Sequence, residues 1–361
     1  MIKHLYVHVP FCRSFCAYCD FSRTIYREAK AEAWLEQIAI DLKQIDPAKE
    51  VYETIYIGGG TPSALSCAQL QKLLRLLKPF SEHVTEYTLE ANPDSLSPDK
   101  LKILREYGVN RISLGLQSAD PDLLKLMHRT HSFADVKKCI AAIRAAGIKE
   151  ISVDIIYSLP TQTMEQLADT LEALKTLNVP HLSLYSLTIE PNSYFGTHGY
   201  RSLAADIEAD MYEYIEETLT KQGYEHYEVA NFALKGHYAK HNLGYWHYDD
   251  FRGLGPGASG KQGSIRYTND ADLNTYLEGK RNYSEYLVLN EKELMFENVM
   301  MSLRTVFGLD LSVFKQRYNK DALSYYHSAI KRWADRLEVV DGHLRCKDLE
   351  LLNEILIDFM D

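Results

Sequence analysis

Residues 8–21 read HVPFCRSFCAYCDF, and this stretch places three cysteines, Cys12, Cys16 and Cys19, within a few positions of one another. They follow LYVHV at 5–9, a β-branched and aromatic segment that is typical of a buried strand. The thiols therefore stand in the loop after the first strand, which is where α/β barrels carry their functional groups.

The Cx3CxxC spacing of these thiols is compatible with three kinds of site. A structural zinc ion would need a fourth ligand, for which His4 and His8 are candidates. A redox-active CxxC pair would leave the third cysteine without a role. A [4Fe–4S] cluster held by three thiolates would leave one iron without a protein ligand, open to a substrate or cofactor.

Five further strands, each followed by an amphipathic helix or a loop, continue the pattern outward from the cysteines. Alternating strands and helices predict a parallel sheet with right-handed crossovers. Each strand ends in polar or glycine-rich sequence, which favours a barrel over an open sheet. The sequence therefore predicts an α/β fold, a partial (β/α)6 TIM-like barrel. Its strands are expected at 5–9, 54–58, 86–91, 111–117, 150–157 and 181–187.

The chain divides into three predicted parts. Residues 1–230 form the partial barrel, and 231–290 form a connecting segment rich in histidine and aromatic residues. Residues 291–361 form a C-terminal, mostly helical domain with one hairpin, LEVV-DG-HLRC, whose Asp-Gly pair predicts a type I′ turn. Helices, a hairpin and a final helix, DLELLNEILIDFM, indicate a winged-helix-like arrangement.

Composition limits the classes of function. The 361 residues are 46% hydrophobic and 25% charged, with a net charge of −10. No apolar run approaches the roughly 20 residues of a membrane helix, and the first residues lack a signal-peptide pattern. We therefore expect a cytoplasmic protein whose thiols stay reduced. The acidic balance and the lack of a long basic run argue against nucleic acid as a partner.

The Cx3CxxC motif, with Tyr18 just before its last cysteine, resembles the signature of the radical S-adenosylmethionine (SAM) family. The resemblance implies a [4Fe–4S] cluster on Cys12, Cys16 and Cys19. It also implies that the open iron chelates the amino and carboxylate groups of SAM. In this family the cofactors carry the reactive chemistry, and the protein orients and shields them.

Further motifs at strand ends match the same family. GGGTP at 58–62 looks like the family's glycine-rich loop, whose backbone meets the methionine amino group. Resemblance to the oxygen-independent coproporphyrinogen III oxidase group implies one shared set of SAM contacts. This set consists of Tyr6, Tyr18, Gly59, Gly60, Thr61, Glu90, Gln117, Arg129 and Asp154.

Two segments distinguish between the branches of that group. The oxidase pattern carries a further cysteine where this chain has Phe21, which argues against decarboxylase activity. HNLGYW at 241–246 looks like the HNxxYW motif of the haem chaperone (HemW-type) branch, implying haem contacts from the motif's polar and aromatic side chains. These are His241, Asn242, Tyr245 and Trp246. From the residues alone, His237 and His241 also have Hx3H metal-site spacing, and a histidine among aromatics is often a packing residue.

The resemblance implies a haem chaperone without coproporphyrinogen oxidase activity. Its cofactors would be a [4Fe–4S] cluster, SAM and haem. Its partners would be an electron donor and a haem-accepting apoprotein, including one at a membrane. Two alternatives stay open: an oxygen-independent coproporphyrinogen III oxidase, and a zinc-stabilised α/β protein.

Overall fold

The computed structural model describes residues 2–349 and 351–360. The strands in that part are β1 (Ile2–Val9), β2 (Phe11–Cys12), β3 (Thr24–Ile25), β4 (Thr54–Gly59), β5 (Glu86–Ala91), β6 (Arg111–Gln117), β7 (Glu150–Tyr157), β8 (His181–Ser186), β9 (Glu225–Glu228), β10 (Asn231–Ala233), β11 (Asp250–Leu254), β12 (Ser259–Gln262), β13 (Ile265–Asn269), β14 (Tyr283–Val288), β15 (Leu309–Asp310), β16 (Leu337–Val340) and β17 (His343–Cys346).

The α-helices are α1 (Glu28–Leu42), α2 (Cys67–Leu77), α3 (Pro98–Glu106), α4 (Pro121–Leu126), α5 (Phe133–Ala145), α6 (Met164–Lys175), α7 (Tyr194–Thr197), α8 (Ala205–Lys221), α9 (Lys240–Trp246), α10 (Leu273–Leu277), α11 (Glu291–Ser302), α12 (Leu311–Tyr318), α13 (Ala322–Tyr325), α14 (His327–Arg332) and α15 (Leu352–Ile357). Two short 3-10 turns span Pro62–Ala64 and Lys78–Phe80. The described part of the chain contains no helix long and apolar enough to cross a membrane.

One 12-stranded sheet carries the barrel, in the order β14-β13-β12-β11-β1-β4-β5-β6-β7-β8-β10-β9. Its middle six strands, β1, β4, β5, β6, β7 and β8, are all parallel neighbours. Among the described strands, β14 and β9 end the sheet without pairing to each other, so the barrel stays open. This confirms the predicted α/β partial (β/α)6 barrel.

The two faces of the barrel strands differ in polarity. Alternate residues such as Ile57, Leu89, Leu114 and Val153 are buried in the main hydrophobic cluster that the helices share. The residues between them point inward and are largely polar. Barrels of this class usually fill their interior with branched apolar side chains, so a polar interior indicates a ligand cavity.

Local sequence signals set several boundaries. Strands β5, β6 and β7 have the predicted bounds. Helix α3 begins after the Ser97 cap with Pro98 in its first turn, and Thr163 caps α6 in a capping box with Gln166. The hairpin turn has Asp341 and Gly342 at φ 50° and 79°, as a type I′ turn requires.

Residues 225–288, which include most of the predicted connecting segment, extend the barrel sheet. This stretch adds β9 and β10 to one edge of the sheet and β11, β12, β13 and β14 to the other. These strands are short, so their sequences offer few positions in which a strand periodicity can be recognised. The predicted segment 231–290 thus shares a sheet with the barrel.

The C-terminal part has its own hydrophobic cluster, built from α11 to α15 around a three-stranded sheet, β15-β17-β16. The predicted final helix at 348–360 is shorter than expected and spans Leu352–Ile357.

Candidate functional site

A cavity of about 610 Å³ occupies the interior of the barrel. It runs from the cysteine loop, at the carboxyl ends of the strands, down to Arg111 and His181 near the strand starts. Nearly every side chain predicted for the cluster and for SAM lies on its wall. These are Cys12, Cys16, Tyr18, Cys19, Gly59, Gly60, Thr61, Glu90, Gln117, Arg129 and Asp154.

Tyr6 is the exception among the predicted SAM contacts. Its hydroxyl lies 3.0 Å from His8 Nδ1, and its ring stacks on Tyr56 with centroids 6.0 Å apart. Burial and the nearby Glu90 raise the pKa of the Tyr6 hydroxyl, so it stays protonated. In this structure Tyr6 packs beside Tyr56 and is not part of the cavity wall.

The three thiols face the cavity as separate side chains. Thr61 Oγ1 donates to Cys12 Sγ at 3.5 Å, and an Arg129 N–H donates to Cys16 Sγ at 3.3 Å. Burial raises the pKa of Cys12 to about 11 and also raises that of Cys19. A metal centre would therefore have to displace these protons to obtain thiolates.

Gly60 lets the main chain of the glycine loop approach Cys12 closely. A Cβ on Gly60 would lie 3.0 Å from Cys12 Sγ and equally close to the Phe11 backbone. A side chain at this position would therefore crowd the thiol. Among residues 2–349 and 351–360, no group of three or more His, Cys, Asp or Glu side chains is placed to hold a metal ion.

The two histidines considered as a fourth zinc ligand have other partners. His8 Nε2 donates to the Ser22 carbonyl at 2.8 Å, and its Nδ1 is bound to Tyr6. His4 Nδ1 is 2.8 Å from Thr54 Oγ1, at the far end of the same strand from the thiols. Neither imidazole therefore completes a four-ligand set with the cysteines in this structure.

Glu90 is held on the cavity wall by two donors. Tyr56 OH donates to Oε1 at 2.7 Å, and the Gly59 N–H donates to Oε2 at 3.0 Å. A Cβ on Gly58 would lie 2.7 Å from the same carboxylate, so the glycine run lets the main chain approach it. Burial raises the pKa of Glu90 to about 7, against these hydrogen bonds.

Asp154 is a second buried carboxylate on the wall. Ser113 Oγ lies 2.9 Å from both of its oxygens, and burial raises the pKa of this carboxyl despite that contact. Neither Glu90 nor Asp154 forms an ion pair within the described part of the chain. Two carboxyls that lack a cation suit a ligand that brings positive charge, as an ammonium or sulfonium group would.

Arg129 supplies the complementary donor. Its Nη2 donates to Asn92 Oδ1 and to the Gly115 carbonyl, each at 2.8 Å. Its Nε is buried and, among the described residues, has no hydrogen-bond partner. Thr88 Oγ1, on the same cavity wall, is also buried and has no hydrogen-bond partner among the described residues. These orphaned atoms fit a ligand with a carboxylate and hydroxyl groups, as SAM has.

Three residues of this site were not predicted from the sequence. Tyr56 orients Glu90, Asn92 orients Arg129, and Ser113 orients Asp154. The signal that could have found them is a two-residue period of inward-facing positions in the barrel strands. The positions that follow it are Tyr56; Thr88 and Glu90, with Asn92 next in the period just after β5; Arg111, Ser113, Gly115 and Gln117; Ser152 and Asp154; and His181, Ser183 and Tyr185.

The HNLGYW motif forms helix α9, which covers the opposite, amino-terminal end of the barrel. The Glu86 carboxylate, at the start of β5, accepts from the N–H groups of Lys240 and His241 at 3.0 and 2.9 Å. A Cβ on Gly244 would overlap the His4 imidazole, so the glycine permits close packing. The motif therefore closes the floor of the barrel, away from the thiols.

His241 is 1% exposed and both of its ring nitrogens are engaged. Nδ1 lies 2.6 Å from Thr54 Oγ1, and Nε2 lies 2.7 Å from Tyr245 OH. The ring stacks on Tyr56 with centroids 5.0 Å apart. Burial holds the pKa of His241 well below its usual value, so the imidazole is neutral. In this conformation His241 offers no free nitrogen to a haem iron.

The other motif residues face different surroundings. Asn242 reaches the barrel cavity, whereas Trp246 lies beside the buried Glu228 carboxylate. His237 precedes α9 and pairs with Glu150 at 3.0 Å. The alternative of an Hx3H metal site on one helix face is therefore wrong, because the helix begins at Lys240.

Comparisons with known proteins agree with this geometry. The radical SAM superfamily model matches residues 6–174, and the HemN C-terminal domain model matches 289–352. Heme chaperone HemW of Lactococcus lactis is 37% identical, covering 98% of this chain and 96% of its own length. Heme chaperone HemW of Bacillus subtilis is 34% identical, covering 93% and 92%.

Among solved structures, coproporphyrinogen III oxidase (HemN) from Escherichia coli superposes with a TM-score of 0.85 at 23% identity. The match covers 99% of this chain and 90% of that one. At this identity the likeness shows the shared fold.

Proposed function

This chain belongs to the HemW family of radical SAM proteins, and from that premise we propose that it binds haem and delivers it to haem-requiring apoproteins. The observation that carries the proposal is similarity of 34–37% identity to haem chaperones over more than nine-tenths of the chain. We propose that the protein binds and delivers haem in the cytoplasm, where its six free cysteines stay reduced.

We propose that the barrel cavity holds a [4Fe–4S] cluster on Cys12, Cys16 and Cys19. SAM would lie beside it, with Arg129 binding the methionine carboxylate and Glu90 accepting a hydrogen bond from the methionine amino group. The close approach of the Gly60 backbone to Cys12 and the unpaired Arg129 Nε support this arrangement. Bound together, the cluster and SAM supply one-electron chemistry at the sulfonium. An electron donor is then a further partner.

The chaperone function is tested by haem uptake and transfer. The anaerobically reconstituted chain is titrated with ferric haem and should develop a Soret band. The loaded protein is then mixed with apomyoglobin, with free haem at equal concentration as the control. We expect transfer with kinetics distinct from those of free haem. A chain that takes up no haem would overturn the proposal.

The oxidase alternative is separated by its product. Coproporphyrinogen III is incubated with the reconstituted chain, SAM and a reductant, and the tetrapyrrole is analysed. Conversion of two propionates to vinyl groups would establish the oxidase. We expect no conversion, because the residue after the cysteine loop is Phe21, 70% exposed on the cavity wall, where the oxidase pattern has a thiol.

Haem contacts from the HNLGYW residues remain a proposal, and they require His241 to change its surroundings. To ligate iron, His241 would have to give up one of its two hydrogen bonds, to Thr54 or to Tyr245, and its ring, now 1% exposed, would have to become accessible to haem. Haem titration of His241→Ala alongside the wild type measures whether this occurs.

A further inference from the structure

A second cavity, of about 990 Å³, lies beneath the barrel, between its floor and the C-terminal part. Its wall includes the residue after α9, the start of β1 and the β12–β13 turn on one side. The other side consists of α11, β15, α12 and the start of β17. At this volume it is larger than the barrel cavity and falls within the range of cofactor sites.

His247 directly follows the HNLGYW motif and opens onto this cavity. Its imidazole has no hydrogen-bond partner on either nitrogen among residues 2–349 and 351–360, in contrast to His241. It stands edge-on to Phe307, with centroids 6.3 Å apart. The pKa of His247 is lowered, chiefly by burial, so the ring is neutral near pH 7. A neutral imidazole is the form that binds iron.

Each acidic side chain of this cavity lies beside a lysine or histidine side chain. Asp249 pairs with Lys3 at 3.4 Å, Asp250 with Lys261 at 2.8 Å, Asp310 with His343 at 3.6 Å, and Glu291 with Lys320 at 3.4 Å. Arg317 differs: its Nη1 donates to the Tyr248 carbonyl at 3.2 Å, and it forms no ion pair with a described carboxylate. One cation on the wall is therefore left for an anionic ligand.

Apolar and aromatic side chains form part of the remaining wall. Phe307, Leu309, Val313 and Leu294 contribute to it, and the Tyr248 ring lies 5.9 Å from the Arg317 guanidinium. An open imidazole, an apolar wall and an unpaired cation match the iron, the porphyrin face and a propionate of haem.

We propose that this second cavity is a haem site of the chain, with His247 as axial ligand to the iron and Arg317 as partner of a propionate. The inference rests on the proposed haem-binding function and assigns its location. On this assignment the barrel cavity holds the cluster and SAM, and His241 is a packing residue of the barrel floor.

The test is ferric haem titration of the anaerobically reconstituted wild type, His247→Ala and Arg317→Met, with absorption and electron paramagnetic resonance spectra. We expect His247→Ala to weaken binding roughly tenfold or more and to change the iron's spin state. Added imidazole should restore the wild-type spectrum in this variant. Arg317→Met should weaken binding by about fivefold without changing the spectrum.

His327→Ala is the matched control, because this exposed histidine belongs to the same part of the chain but lies outside the cavity wall. It should bind haem as the wild type does. Wild-type affinity and spectrum in His247→Ala, or loss confined to His241→Ala, would overturn the assignment. A wild type that binds no haem would instead refute the proposed function itself.

Discussion

His241→Ala should destabilise the fold, because the structure gives this side chain a packing role. The substitution removes hydrogen bonds to Thr54 and Tyr245 and the stacking of the ring on Tyr56. Two buried hydrogen bonds contribute about 1 kcal/mol each, and the empty ring volume adds about 1–2 kcal/mol. We expect the free energy of unfolding to fall by roughly 3–4 kcal/mol.

Urea unfolding followed by circular dichroism measures this change, with His247→Ala as the matched histidine. Because the His247 ring lacks hydrogen bonds among the described residues, its removal should alter stability by about 0.5 kcal/mol or less. Thr54→Val, which removes one of these hydrogen-bond partners, should reproduce part of the loss of stability expected for His241→Ala. A His241→Ala protein that unfolds like the wild type but cannot bind haem would refute this reasoning.

Three further predictions concern the barrel cavity. SAM affinity should rise as pH increases through about 7, because burial raises the pKa of Glu90 to about 7 and the ionised carboxylate is the better acceptor for the amino group of the positively charged SAM; calorimetry should find this dependence lost in Glu90→Gln. Arg129→Lys should weaken SAM binding by roughly tenfold to a hundredfold, because an ammonium cannot reproduce the guanidinium's bonds to Asn92 and Gly115; unchanged affinity would remove Arg129 from the site. Gly60→Ala should lower the iron content after reconstitution, because its Cβ would lie 3.0 Å from Cys12 Sγ; full iron loading would show that this close approach is dispensable.

The sequence predicted the barrel well because its information is local. Strand periodicity, the Ser97 and Thr163 caps and the Asp341-Gly342 turn each depend on a few neighbouring residues. The grouping of the thiols with Glu90 and the other strand-end residues on one cavity wall followed from the rule that parallel strands end at the same edge of a sheet.

The chemistry of HNLGYW could not be predicted in the same way. Whether His241 is open or buried depends on Thr54 and Glu86, which lie more than a hundred positions away in sequence. Short strands such as β10 and β12 pair with partners that local periodicity does not identify. His247 lies outside the motifs recognised in the sequence. That its ring nitrogens lack hydrogen-bond partners among the described residues becomes apparent only when α9 and the C-terminal part are seen together.

The central claim is that three thiols at the mouth of the barrel hold a cluster with one open iron. The most direct measurement is electron paramagnetic resonance of the anaerobically reconstituted, reduced chain, before and after SAM is added, together with metal analysis. We predict about four irons per chain and a spectrum that changes on SAM addition. A preparation that contains only zinc, or a cluster whose spectrum ignores SAM, would contradict the account.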